Sequence, residues 1–284
     1  MCGDPLGGRA ADPLAGRMAE PEIPLDGGSH SRVVRVGQTV RRVSHSWSSA
    51  ALDLLRHLEG EDFGGAPRAL GFDDQGREVL TYIEGEVGVG LPEADAGPVQ
   101  DADHWVWRDD VLVRLGALVR AYHDAAATFP LAGREWQLEV RQPVETVCHN
   151  DLSPWNTVFR AGVPVALIDW ESAAPGPRAW DLGYAAWRWV PLWYEERCRA
   201  AGLPTSVAEK ARRFRLLLDA YGVEPDVGIV RTGIERMRQF LDHLWKLVAE
   251  GSEWEVGLAR RGLLDELALE IAWVEEHAVA LVES

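Results

Sequence analysis

The chain has 284 residues, 46% hydrophobic and 26% charged, with 45 Asp and Glu against 29 Lys and Arg for a formal net charge of −16. That length suits one large domain or two modest lobes with a buried core, and so acidic a surface argues against nucleic acid or anionic membrane as partner. No uncharged apolar run reaches the roughly 18 residues that a membrane-spanning helix requires.

Residues 1–21 are rich in Gly, Ala and Pro and lack the apolar stretch of a signal peptide, so they read as a disordered tail, with Met18 as an alternative start. The cysteines, Cys2, Cys148 and Cys198, are odd in number and have no metal-ligand spacing. A reducing cytoplasm is the simplest setting for them.

Residues 22–86 read as a first lobe of short strands and tight turns. Arg32 to Val36 and Thr39 to Val43 are strand-like across a Gly37-Gln38 turn, and Ala51, Leu54, Leu55 and Leu58 then mark one helical face. After a loop at 60–67, Arg68 to Phe72 and Glu78 to Ile83 flank the turn Asp73-Asp74-Gln75-Gly76. The expectation is a five-stranded antiparallel sheet with one helix. Residues 87–109 carry Gly, Pro and acids and read as a linker.

Residues 110–284 read as a mainly helical second lobe. Val111, Leu112, Leu115, Leu118, Val119 and Tyr122 share a helical face that starts near Asp109 or Asp110. The segment 144–185 reads as irregular and strand-like, and helix dominates from about 190, with periodic stretches at 206–221, 229–250 and 259–282. Together these features give an α+β fold of two lobes.

The chemistry concentrates in Cys148-His149-Asn150-Asp151-Leu152-Ser153-Pro154-Trp155-Asn156 and in Ile168-Asp169-Trp170-Glu171. Thr157 to Phe159 and Val165 to Ile168 fold back as a hairpin, which brings Asn156 and Asp169 to one end. An amide oxygen and a carboxylate are hard ligands of the kind Mg²⁺ takes alongside phosphate oxygens and water. Asp151 lies close enough in sequence to accept a proton from an attacking hydroxyl, and His149 reads as a brace that bonds a backbone carbonyl. The pattern His-x-Asp-x₄-Asn, followed by Asp169 thirteen positions beyond Asn156, resembles the aminoglycoside phosphotransferase and choline kinase superfamily, relatives of the protein kinases.

That resemblance implies a two-lobed kinase-like fold that binds ATP or GTP with Mg²⁺ and phosphorylates a hydroxyl of a small molecule. It implies Asp151 as catalytic base, Asn156 and Asp169 as metal ligands, and Asp181, in Pro175-Gly176-Pro177-Arg178-Ala179-Trp180-Asp181, as the brace of the catalytic loop. Gly27, Gly28 and Ser29 would cover the nucleotide phosphates, and Tyr82 and Ile83 would pair with adenine through their backbone. Relatives carry a lysine on the third strand and a glutamate on the next helix. Here Arg42 takes the lysine position, and the helix offers Asp53, His57 and Glu59 without a clear partner.

That departure keeps a second reading open, a kinase-like binding or immunity protein with weak or no transfer. A third, a non-haem iron site of His149, Asp151 and either His243 or His277, sits poorly in a helical chain. Trp155 and Trp170 line the acceptor site or pack beneath the loop. Residues 250–284 hold nine acids and two arginines. They fit either a cationic acceptor, such as an aminoglycoside or amino alcohol, or a solvated helix face. Drug-inactivating and metabolic kinases are not separated by these motifs, and no oligomeric state is assigned.

Overall fold

The structure is a computed structural model in which residues 21–25, 33–88 and 105–283 are described. The first layer is an antiparallel sheet of β1 (Ile23–Pro24), β2 (Val34–Val36), β3 (Thr39–Arg42), β4 (Ala69–Phe72) and β5 (Glu78–Thr81), in the order β1-β2-β3-β5-β4. Helix α1 (Ser48–Gly60) buries Ala51, Leu54, Leu55 and Leu58, the face expected from its periodicity. The β4–β5 turn forms where expected, because the Asp73 carboxylate accepts the backbone N–H groups of Gln75 and Arg77 at 3.0 and 2.9 Å. The register of β3 on β5 sets Arg42 directly opposite Glu78.

Strand β6 (Glu86–Val87) leaves this sheet and joins β8 (Thr157–Arg160) and β9 (Val163–Leu167) in a second one. The β8–β9 hairpin turns through Ala161 and Gly162, both in the left-handed region, as a two-residue turn requires if it is to match strand twist. A third pairing joins β7 (Thr146–Cys148) to β10 (Ala174–Gly176). Beneath them runs α2 (Asp109–Ala126), whose Val111, Leu112, Leu115, Val119 and Tyr122 are fully buried.

Helix α3 (Arg178–Trp189) lies inside the stretch that reads as irregular and strand-like. Every residue from Trp180 to Trp189 is buried, so the charged Asp181 and Arg188 face the interior and not solvent. Helices α4 (Glu195–Ala200), α5 (Val207–Tyr221) and α6 (Val227–Ala249) follow. The single period expected over 259–282 divides into α7 (Glu253–Arg260), α8 (Leu263–His277) and α9 (Ala280–Glu283), with Gly262 at φ 79° ahead of α8.

Helices α3 and α6 cross at Gly183 and Gly233, where a Cβ on Gly183 would lie 2.4 Å from the Gly233 Cα. Backbones that close exclude any side chain between them. The crossing carries Tyr184 and Arg188 of α3 up to Arg236 of α6. None of the described helices is long and apolar enough to cross a membrane.

Candidate active site

The loop after β7 is held from below by Asp181, in the first turn of α3. The Asp181 carboxylate accepts the backbone N–H of His149 at 2.7 Å and of Asn150 at 2.8 Å, and bonds His123 Nε2 at 3.0 Å. Burial opposes its charge, but the hydrogen bonds from His123 and the His149 backbone hold the carboxyl below its ordinary range. His149 is completely buried. Its Nε2–H donates to Ile168 O at 3.0 Å, and its Nδ1 accepts from the Asp151 N–H at 3.3 Å. Burial depresses the His149 pKa and keeps the ring neutral, as the expected brace requires. Asn150 takes a left-handed backbone, φ 66°, and anchors it by donating Nδ2–H to Ser172 O at 2.9 Å.

Asp151 therefore emerges from a fixed backbone, and both of its oxygens are engaged. Oδ2 accepts from Asn156 Nδ2 at 2.7 Å, and Oδ1 accepts from the Tyr184 hydroxyl at 2.7 Å. Donation through Nδ2 turns the amide oxygen of Asn156 away from Asp151. The hairpin closes as its sequence implies, with the Ile168 N–H donating to Asn156 O at 2.9 Å, and Asp169 follows at φ 65°. The Asp169 side chain is 46% exposed while its Oδ1 accepts from Arg42 Nη1 at 2.9 Å. Desolvation in the cleft pushes its pKa up, Glu171 and Asp151 add to this, and Arg42 opposes it.

Arg42 is buried and does have a carboxylate partner, but not on the helix. Its Nε donates to Glu78 Oε2 at 2.5 Å across the β3–β5 pair, and α1 contributes Ser48, whose hydroxyl bonds the other Glu78 oxygen. Burial opposes the Arg42 charge, yet Glu78, Asp169 and Glu171 hold its pKa above the ordinary value. The lysine–glutamate pair of relatives is thus answered by an arginine–glutamate pair within the sheet.

Gly27, Gly28 and Ser29 lie outside the described residues. At the end of β5 the Tyr82 N–H donates to Gln38 O at 2.9 Å, and the Arg35 guanidinium lies 3.8 Å from the Tyr82 ring centre. That donor is spent within the sheet and is not available to a ligand. Among the described residues no three His, Cys, Asp or Glu side chains converge as a metal site. This excludes the iron reading there, since both His149 nitrogens serve backbone groups. One carboxylate and one amide oxygen, Asp169 and Asn156, still fit Mg²⁺, which takes its remaining ligands from phosphate and water.

Trp170 packs beneath the loop, fully buried, with its Nε1–H on Leu167 O at 3.0 Å, whereas Trp155 sits half-buried near Arg188. Cys148 is buried and its thiol is pushed up by burial, which suits packing and not nucleophilic chemistry. Three participants escape a reading along the chain: Glu78, Tyr184 and His123, the last bonding both Asp181 and the Tyr221 hydroxyl. Only Tyr184 had a signal, three residues beyond Asp181 on the same helix face. Of the C-terminal acids, Glu250, Glu253, Asp265, Glu275, Glu276 and Glu283 are exposed, and the buried Glu270 bonds Trp187 Nε1 at 2.6 Å and Arg197.

Residues 22–216 match the model of the phosphotransferase enzyme family. Over 209 residues the chain is 37% identical to a trifolitoxin immunity protein of Rhizobium leguminosarum bv. trifolii, a match covering 71% of this chain and 74% of that protein. A choline/ethanolamine kinase family protein of Mesorhizobium loti superposes with a TM-score of 0.55 at 19% identity, covering 94% of this chain and 96% of that one. The GDP complex of aminoglycoside 2'-phosphotransferase-IIIa gives 0.52 at 14% identity over 94% and 95%. These likenesses establish the two-lobed kinase-like α+β fold.

Proposed function

Since the chain belongs to the phosphotransferase enzyme family, we propose that it transfers the γ-phosphoryl group of ATP or GTP to a hydroxyl of a small molecule, with Asp151 as base. The observation that carries this reading is the pair of hydrogen bonds that fixes Asp151, from Asn156 on one oxygen and Tyr184 on the other. A carboxylate steered from both sides presents its remaining lone pairs in one direction. There it orients the acceptor hydroxyl and takes its proton as the new O–P bond forms and the bond to the β-phosphate oxygen breaks.

Asn156 and Asp169 are the residues that would hold Mg²⁺, which when bound supplies charge neutralisation and alignment for the phosphate oxygens. Arg42, fixed by Glu78, directs its second nitrogen to Asp169, and its guanidinium would take the nucleotide phosphates beside the metal. Residues 27–29 would cover those phosphates, and Ile83 would contact the base. Asp181, His123 and His149 hold the backbone that leads to Asp151. Calorimetry tests the nucleotide half directly. ATP or GTP should bind only with Mg²⁺, and binding should fail in Asp169→Ala; Mg²⁺-independent binding that survives this substitution would refute the assignment.

A second reading follows from the relative at 37% identity, whose name is that of an immunity protein. A kinase-like chain that protects by holding a toxic small molecule or peptide would need the acceptor side of the site and little transfer. The two readings separate on whether Asp151→Asn, which keeps the shape of the site, abolishes the protein's effect.

A further inference from the structure

Beside Asp151, at Tyr184 and the Asn150 carbonyl, stands a pair of arginines that the chemistry above does not use. Arg188 is 3% exposed, and its Nε and Nη1 are buried with no hydrogen-bond partner. Its guanidinium lies 3.3 Å from the Trp187 ring centre, 5.1 Å from Tyr184 and 5.3 Å from Trp155. Arg236 approaches the same Tyr184 ring at 4.9 Å and bonds Asn150 O at 2.9 Å, next to the base, while its Nε is also buried without a partner. Both guanidiniums lie within 5.9 Å of the Phe240 ring centre. No ion pair reaches either arginine among the described residues. Glu270 is near enough to feel the Arg188 charge, but its oxygens are engaged by Trp187 and Arg197.

Two guanidiniums drawn together, one buried and one half-buried, repel one another, and their buried unpaired N–H groups are unsatisfied donors. Aromatic faces offset part of that cost and leave the in-plane N–H forks free. A guanidinium fork matches a planar carboxylate or a phosphate oxygen pair. The Gly183–Gly233 crossing that sets these arginines in place also places Tyr184 on Asp151, so an anion bound there would hold the rest of its molecule against the base.

We propose that Arg188 and Arg236 form an anion subsite on the acceptor side of Asp151, and that the acceptor is a hydroxyl compound carrying a carboxylate or a phosphate. This rests on the phosphotransferase reading. It replaces the cationic acceptor expected from the C-terminal acids, most of which face solvent.

The experiment follows tryptophan fluorescence, since Trp187 and Trp155 flank Arg188, during titration of the full chain at millimolar probe concentrations. The probes are N-acetyl-L-serine, its uncharged amide, ethanolamine and inorganic phosphate. Saturable binding of N-acetyl-L-serine or phosphate is expected, weaker by about 10- to 100-fold in Arg188→Met and in Arg236→Met, as loss of a charge-assisted hydrogen bond would produce, with little response to the amide or ethanolamine. Carboxylate and phosphate are distinguished by which of the two probes binds more tightly. Repeating the titration with a saturating non-hydrolysable Mg²⁺-nucleotide should leave anion binding in place. Displacement by the nucleotide would mean that the arginines grip its γ-phosphate, and the acceptor subsite would be overturned.

Preference for ethanolamine, or no saturable response to either anion, would also overturn it. Thermal melting controls for folding. Without probe, Arg188→Met should melt no lower than wild type, because an unpaired buried charge has been removed, whereas a lower Tm with unchanged anion binding would make Arg188 a packing residue only. Mg²⁺-nucleotide affinity is measured on the same variants. Its absence in wild type would refute the phosphotransferase reading, and its retention in the variants would confine their defect to the anion subsite.

Discussion

Two charged clusters pack against the loop that follows β7 and are treated in opposite ways. Beneath it, Asp181 is surrounded by donors: two backbone N–H groups, His123 and, behind His123, Tyr221. Beside it, Arg188 and Arg236 leave three buried nitrogens unbonded. Structural charge is normally satisfied within the fold, because each unmet buried group costs about 1–3 kcal/mol. The contrast separates a cluster that holds the loop from one that is completed by something outside the chain. Arg42 falls between them. Its Nε is spent on Glu78, and Nη1 reaches a carboxylate that is half exposed to the cleft.

The largest effect should come from removing the satisfied cluster's centre. Asp181→Ala strands two backbone donors and His123 and should cost about 4 kcal/mol or more, read by denaturant unfolding. A loss under about 1 kcal/mol would erase the contrast. The same carboxyl gives a pH signature. Its folded pKa lies below the ordinary 3.8, so it contributes stability that is fully present above that value and is lost as pH falls towards the folded pKa. Asp181→Asn should flatten this acid limb, checked by unfolding between about pH 5 and 2.

Arg42→Met ranks next. It leaves Glu78 buried with Ser48 as its remaining partner and should cost about 3 kcal/mol, while Arg42→Lys should recover stability but not the two-carboxylate grip, measured as weaker Mg²⁺-nucleotide binding. The smallest is Gly183→Ala. Its methyl would press on Gly233 and cost about 1–3 kcal/mol, and the forced separation of α3 from α6 should weaken anion binding at Arg188 and Arg236 more than it weakens nucleotide binding.

What could be read from the chain follows how each residue is placed. His149, Asp151, Asn156 and Asp169 lie on one loop and one hairpin, so spacing and a two-residue turn were enough to bring them together. Glu78 reaches Arg42 through strand register across 36 residues, which no local pattern encodes. Tyr184 and Arg188 sit on α3, where even charged residues are buried, so the expectation that polar side chains mark a solvent face does not place them. Arg236 arrives only because two glycines let α3 and α6 touch. The C-terminal acids were conspicuous in composition, yet most of them face solvent.

If Asp151 is the base of a phosphoryl transfer, its loss costs turnover and leaves nucleotide affinity intact. The direct measurement compares Mg²⁺-dependent hydrolysis of ATP and GTP, and the affinity for each, between wild type and Asp151→Asn. The expected result is turnover reduced about 10²- to 10⁴-fold, as for loss of a general base, at unchanged nucleotide affinity. Hydrolysis that survives in Asp151→Asn, or affinity lost together with turnover, would contradict it.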